Sequence, residues 1–541
     1  MKVILIQPPV RDFYDTSIRL QPIGLAYLKS ALLKHCPEVN VILKDFHQGW
    51  GRKTIPLPKE LSSLRDFYGL NDRSPFRTFH HYYHFGASFE EIAEYIIVQK
   101  PDLVGISALF TPYQREVIET AEAIKSKSKT LILAGGSHVS ADPEGMLLEP
   151  AIDFIIRGEG ERPIVELVKV LQNRKRLDRV PNLGFKRGGQ LMFNEMEENF
   201  QVEEIPFPVL DDLNPEHYTN EGEALCFIIT SRGCPYKCSF CSIHQTFGKK
   251  YRRRSASSIV AEIEQRYNEG FRIIDFEDDN LAYDRAGFKE LCLQLMEKFK
   301  TKEIKFTAQN GICYQNLDAE ILKLMRQAGF EELNLSLVTM NAEVNRVVHR
   351  PHSLLQFNKV LSEAFKLGFR TIVYQILGLP DESIDSMIDT LIHVSELPVL
   401  PGVSPFYNIP GTTISASIKS FSKDDQIRAR LTYMGNTPDI DLRHKIFTLF
   451  IIARILYFIK TFKIESDLTL ENFFMNKANL NPQEKIGIEI LERLLSENRF
   501  FAKTSKGFEP VKHFQYDVFK QFWSRLKYIC TVNEDRKIMI K

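Results

Sequence analysis

Cys234, Cys238 and Cys241 are the residues best equipped for chemistry in this 541-residue chain. They stand in the run Ile229-Thr-Ser-Arg-Gly-Cys-Pro-Tyr-Lys-Cys-Ser-Phe-Cys241. The Cys-x3-Cys-x2-Cys spacing follows directly on an apolar, strand-like stretch at residues 224–230. Three thiolates on one tight loop can hold three irons of a 4Fe–4S cube and leave the fourth iron without a protein ligand. An open coordination position marks a reactive metal site, whereas a structural site is closed by a fourth ligand. The alternatives are a single zinc ion, with His244 as the fourth ligand, or three thiols with no metal role.

Two sets of elements must position such a loop. In the first 200 residues, β-rich runs at 2–7, 39–44, 103–107, 130–134 and 154–157 alternate with helical patterns at 23–35, 89–99, 114–126 and 161–173. Strands spaced by helices predict a parallel α/β sheet that binds ligands beyond its strand C-termini. Three of those C-terminal turns are unusual: Gly105-Ile-Ser107-Ala-Leu109, Gly135-Gly136-Ser-His138 and Arg157-Gly158-Glu159-Gly160-Glu161. Glycine there lets backbone approach a ligand and offer its N–H groups. Taken alone, this pattern fits any Rossmann-like nucleotide or flavin site, or simply tight turns.

After a proline-rich, acidic linker at 201–222, six strand–helix repeats are expected over 223–414. Their strands fall at 224–230, 272–276, 305–308, 333–337, 370–377 and 403–407, with helices near 257–269, 285–299, 318–328, 353–367 and 383–397. Repeated βα units make a barrel-like parallel sheet whose active site faces the strand C-termini. Residues 415–541 read as a small helical cap rich in aromatics. Residues 51–87 form an aromatic insertion. In it, His80 and His84 could share a helix face, but no carboxylate or thiolate partner lies within a turn or two, so a packed aromatic lid is the reading.

Composition narrows the function. A net charge of +1 gives no long-range field for nucleic acid or anionic membranes. Eight cysteines, three of them in one motif, suit a reducing cytoplasm better than a disulfide framework. The N-terminus, MKVILIQPPV, reads as a first strand rather than a signal peptide. The apolar stretch 446–459 contains Arg454 and is too short to span a bilayer, so a buried helix is expected and membrane association is not.

The cysteine run resembles the radical S-adenosylmethionine (radical SAM) superfamily, which uses a partial (β/α)6 barrel. In that family SAM chelates the free iron, and one electron from the cluster splits it to methionine and a 5′-deoxyadenosyl radical. The resemblance places Phe240 near the adenine and matches Asp278 and Asp279 to the turn that binds the SAM amino group. An acidic helix N-cap is the other reading of that turn. Asn310, Ser336, Arg350 and Gly378 end or follow the next barrel strands and are further SAM candidates: ribose or carboxylate contacts for the first two, a carboxylate fork for Arg350, and an adenine-facing turn for Gly378. Many relatives have a glutamate where this chain has Val338-Thr339.

Upstream, Gln7-Pro-Pro9, Pro22-Ile-Gly-Leu-Ala-Tyr-Leu28 and the three glycine turns resemble the Rossmann-like cobalamin-binding domain found ahead of radical SAM modules. So does Phe406-Tyr-Asn-Ile-Pro-Gly-Thr412 in the barrel. The resemblance implies that Ser107, Leu109, Gly135, Gly136, His138, Gly158 and Glu159 line a cobalamin site. One departure matters: the Asp-x-His-x-x-Gly motif that supplies histidine to cobalt is missing from the loop after the first strand. His47 follows the second strand instead, with Trp50 where that motif needs glycine. No histidine on cobalt is therefore expected; a scaffold that has lost its corrinoid is the alternative.

The implied protein is a cobalamin-dependent radical SAM enzyme that methylates an unactivated carbon of a small molecule. It would use a 4Fe–4S cluster, SAM, cobalamin and an electron donor such as flavodoxin or ferredoxin. Radical oxidation, cyclisation or rearrangement without methyl transfer is the enzymatic alternative, and a non-catalytic cluster-and-corrinoid carrier or sensor is the alternative from another class.

Overall fold

In the computed structural model the described residues are 1–14, 21–62, 64, 71–78, 81–173, 176–197, 201–417, 422–429, 439–476, 480–532 and 535–540. They pack as two compact units: residues 1–55, 83–310 and 408–427 in the first, and 56–82, 311–407 and 428–541 in the second. His80 lies outside the described residues.

The first unit contains a seven-stranded sheet of β1 (Lys2–Gln7), β2 (Asn40–Asp45), β3 (Leu103–Ser107), β4 (Leu131–Gly135), β5 (Phe154–Ile156), β6 (Leu183–Arg187) and β7 (Gln190–Phe193). Its order is β7-β6-β5-β4-β3-β1-β2. The five strands β1 to β5 pair in parallel, and β6 and β7 extend the sheet as an antiparallel hairpin. Val3, Ile4, Leu5 and Ile6 are fully buried, as a central parallel strand covered on both faces requires. The chain reverses direction across the sheet between β1 and β3, the switch point at which open parallel sheets bind ligands.

The expected barrel strands are all present. In the first unit, β8 (Glu223–Ile228), β11 (Ile273–Phe276) and β12 (Lys305–Thr307) pair in parallel. In the second, β13 (Glu332–Val338), β14 (Arg370–Leu377) and β15 (Leu400–Pro405) do the same. Five of the intervening helices begin behind a Ser or Asp whose side chain accepts from the backbone three residues on: Ser255, Asp284, Asp318, Ser353 and Ser383. Each such cap satisfies one of the first-turn N–H groups a helix cannot pair internally.

The second unit also holds a 21-residue helix, Ile440–Lys460, with twelve residues buried. Lys460 at its end is fully buried and donates to the carbonyls of Ser395 (2.8 Å), Leu397 (2.7 Å) and Cys530 (2.6 Å). Among the described residues no helix is long and apolar enough to cross a membrane. Besides helices, the C-terminal region carries a hairpin (Phe501–Thr504 with Gly507–Pro510) and a three-stranded sheet (Leu468–Thr469, Lys537–Met539, Tyr528–Cys530).

Candidate active site: a thiol loop beside a glycine-lined cavity

The cysteines lie in a loop clamped at both ends. Beyond β8, the short strands β9 (Ser231–Arg232) and β10 (Arg252–Arg253) pair antiparallel and enclose residues 233–251. Gly233 makes the turn into the loop at φ +80°, and a Cβ there would meet the Lys250 carbonyl oxygen at 2.4 Å, so the pinch admits only glycine. Cys234 and Cys238 are buried and Cys241 is half-buried. Burial pushes the Cys241 thiol up to about 11 and raises that of Cys234 as well, so a metal must displace protons as it binds. The Asn280 amide reaches the Cys234 sulfur at 3.7 Å. His244 is turned to the Cys234 carbonyl, with Nε2 at 2.8 Å, and its ring is thereby engaged with backbone rather than aimed at a metal. Among the described residues no three Cys, His, Asp or Glu side chains converge on a single-ion site. A cube presents its irons at separate corners, so its thiolates need not converge. Three thiols on one loop fit a cube with one open iron.

The acidic turn after β11 braces this loop. Asp278, buried, accepts from Thr230 N (3.2 Å), Thr230 Oγ1 (2.7 Å) and Ser231 Oγ. Asp279 accepts from Gly233 N at 2.9 Å, and burial raises its carboxyl to about 7. The exposed groups at the same strand ends are instead Asn310 and, half-buried, Glu277, hydrogen-bonded to each other. Phe240 is half-buried on the cysteine loop. In the second unit, Ser336 sits at a bulge in β13 and its carbonyl accepts from the Arg350 guanidinium at 3.1 Å, so two expected SAM residues meet there. Two residues on, Val338 holds φ +72°, a strained conformation for a β-branched side chain of the kind that clusters at functional sites. A Cβ on Gly378 (φ +79°) would meet Ile446 Cδ1 at 2.6 Å, so the space on that face is already filled by the long C-terminal helix.

A second feature of the first unit adjoins the loop. A cavity of about 190 Å³ lies at the C-terminal ends of β1, β3, β4 and β5. Ser107, Leu109, Gly135, Gly136, Gly158 and Glu159 all line it. At Gly136, φ +125° and a Cβ-to-Ala108 oxygen distance of 2.6 Å exclude any side chain. His138 does not line the cavity; it is buried with Nδ1 3.2 Å from Thr111 Oγ1, and burial lowers its pKa to about 4. The opposite wall comes from the cysteine segment itself: Ile229, Arg232, Thr246 and Phe247. Sequence reasoning missed these residues, although Arg232 and Thr246 flank the motif.

The wall's charges are paired within it. Arg232 donates to Glu159 Oε1 (2.8 Å) and Glu161 Oε1 (2.5 Å), and Arg252 to Glu159 Oε2 (2.8 Å). The buried polar atoms without a partner include Gln21 Nε2 and Thr246 Oγ1, and both residues line the cavity. A charge-balanced, glycine-edged cavity with spare neutral hydrogen-bonding groups suits the rim of a corrinoid, which carries neutral amides.

A parallel sheet with a cavity at its switch point, followed by further parallel strands and a three-thiol loop, is the arrangement that a corrinoid domain ahead of a radical SAM module would present. The chain matches the Radical SAM superfamily over residues 228–394 and the B12 binding domain over 77–168. Both domains of the radical SAM enzymes that carry a cobalamin-binding domain are thus recognised in this chain. It is 28% identical over 405 residues to an uncharacterised methyltransferase of Pyrococcus horikoshii, covering 74% of this chain and 79% of that protein. It is 25% identical over 430 residues to the cytidylyl-2-hydroxyethylphosphonate methyltransferase of Streptomyces wedmorensis, covering 71% and 75%. The fold is that of the radical SAM methyltransferase TsrM of Kitasatospora setae, solved with cobalamin and a 4Fe–4S cluster bound. The TM-score is 0.60 at 18% identity, over 76% of this chain and 77% of that one.

Proposed function

We propose that this enzyme transfers a methyl group to an unactivated carbon of a small molecule. The observation that carries the reading is the double use of one segment: residues 229–247 hold the three thiols and also wall the glycine-lined cavity. When bound, the cluster supplies the electron that opens SAM to a 5′-deoxyadenosyl radical, and cobalamin supplies a carrier for the methyl group. The protein binds and orients. Cys234, Cys238 and Cys241 take three irons. Phe240, Asn310 and Glu277 are the SAM candidates in the first unit, while Asp278 and Asp279 fix the loop. Ser336 and Arg350 are the SAM candidates in the second unit. Ser107, Leu109, Gly135, Gly136, Gly158 and Glu159 cradle the corrinoid, with Gln21 and Thr246 offering their spare polar atoms to its amide rim. An external one-electron donor of the flavodoxin or ferredoxin kind serves the cluster, and eight free cysteines suit the reducing cytoplasm.

The test is anaerobic turnover with methyl-labelled SAM, with and without added cobalamin. Cobalamin-dependent S-adenosylhomocysteine is the expected product. Deoxyadenosine without S-adenosylhomocysteine, in the presence of cobalamin and a substrate that is consumed, would assign a radical oxidation or cyclisation instead.

A further inference from the structure

The cavity and the cysteine loop are joined by a buried ion network of Arg232, Arg252, Glu159 and Glu161. Arg232 lies two residues before Cys234 and is 5% exposed; its partners Glu159 and Glu161 are 8% and 9% exposed. Both glutamates belong to the glycine turn that follows β5, more than seventy residues away in sequence. The guanidinium also lies over the rings of Tyr27 (5.3 Å) and Phe247 (5.4 Å), and all five residues line the cavity. Arg252, on the strand that closes the far end of the cysteine loop, donates to the second oxygen of Glu159. Glu159 therefore grips both ends of the loop, through Arg232 on β9 and Arg252 on β10.

Such a network is costly to form, because four charges leave water, and it stabilises only when every partner stays in place. Burying these groups for stability alone is inefficient, since apolar replacements of the same shape commonly do as well. The network does have a geometric consequence. A corrinoid seated in the cavity would hold the glutamate turn, and through Arg232 the start of the cysteine loop; a cluster on the loop would hold the same contacts from the other side.

We propose that Arg232, gripped by Glu159 and Glu161, is a positioning residue that makes corrinoid binding and cluster binding mutually dependent. The inference rests on the cofactor assignment above. Coupling between two sites is reciprocal: whatever factor the cluster adds to corrinoid affinity, the corrinoid adds to cluster affinity. The enzyme would then be assembled with both cofactors or neither, which protects an open cluster from being loaded into a protein that cannot use it.

The experiment is an absorbance titration with hydroxocobalamin of the cluster-free and the reconstituted full-length protein, in wild type, Arg232→Met, Arg232→Lys and Glu159→Gln. The wild-type dissociation constant should be at least about fivefold lower with the cluster than without it, the lower end of ordinary coupling, and a higher one overturns the proposal. The ratio should fall below about two in Arg232→Met and Glu159→Gln, with Arg232→Lys, which keeps the charge but not the fork, between them. Chelator-driven loss of cluster absorbance, slowed by hydroxocobalamin in wild type only, reads the same coupling from the other side. A network that is merely structural would lower the melting temperature and leave the ratio intact. If Arg232→Met does not fold, the ratio in Glu159→Gln decides. A wild-type ratio of one, or a ratio unchanged in the variants, overturns the proposal. Failure of wild type to bind hydroxocobalamin in either state overturns the cofactor assignment itself.

Discussion

Asp278→Ala separates a brace of the cysteine loop from a ligand of SAM. In wild type the buried carboxylate accepts from one backbone N–H and two hydroxyls at the end of the first barrel strand. Removing it leaves the Thr230 N–H with no acceptor, while the hydroxyls of Thr230 and Ser231 can turn elsewhere. A buried donor left unsatisfied costs about 1–3 kcal/mol and each charge-assisted bond contributes about 1.5–3 kcal/mol, so a net loss of about 3 kcal/mol is expected. At roughly 1.6 °C per kcal/mol for a cooperative unit of about 300 residues, the melting temperature of the unit carrying the loop should fall by about 5 °C. Asp278→Asn, which retains one acceptor oxygen, should lose about half as much. The assay is thermal unfolding of iron-free protein without SAM, so that no cofactor contributes. Thr230→Val with Ser231→Ala should remove most of the same stabilisation, and adding Asp278→Ala to that pair should cost little more. An Asp278→Ala protein that melts within about 1 °C of wild type while its SAM affinity drops tenfold or more would refute the brace and restore the SAM contact.

Other outcomes follow from the same coordinates. Lys460→Met strands three buried carbonyls and should destabilise the second unit by at least about 2 kcal/mol in urea unfolding; an unchanged midpoint would remove the tether from the account. His138 is held neutral with a pKa of about 4 against 6.5 for a free imidazole, so the unfolded chain takes up the proton first and stability falls as pH drops from about 6.5 to 4. Between pH 7 and pH 5 wild type should lose about 2 kcal/mol more than His138→Phe in matched urea titrations, and equal losses would contradict the assignment. Gly136→Ala puts a side chain into a glycine-only conformation against the Ala108 carbonyl. It should cost about 1–3 kcal/mol and weaken hydroxocobalamin binding, whereas wild-type affinity would show that the turn does not face the ligand.

The parallel strands were legible because each is a short apolar run bounded by glycine or by a capped helix. Boundaries failed where turn residues were misleading. The last barrel strand starts at Leu400, not residue 403, because Pro401 and Gly402 read as a turn. Proline is tolerated there because β15 is the outermost strand of its three-stranded sheet. The β6–β7 hairpin went unread although Gly188-Gly189, with φ +57° and +82°, is a strong hairpin signal between two strand-like runs. In the C-terminal region the aromatic helices overshadowed short strands such as Phe501–Thr504, whose hairpin turns at Ser505-Lys506. At the site, the cysteines and the glycine turns could be read because spacing carries their chemistry. Arg232 and Thr246 could not, because their roles arise only when a cavity wall is assembled from segments far apart in sequence. Asp278 and Asp279 stood out as carboxylates, but sequence could not tell that backbone and hydroxyl donors would take them up.

The central claim is that the three-thiol loop holds a cluster that cleaves SAM. The most direct test is an anaerobic assay of reconstituted protein with SAM and a strong reductant, quantifying 5′-deoxyadenosine in wild type and Cys238→Ala. Deoxyadenosine formed by wild type and abolished in the variant is predicted. Equal formation in both, or none from a protein whose reduced cluster shows no change in its electron paramagnetic resonance spectrum on adding SAM, would contradict it.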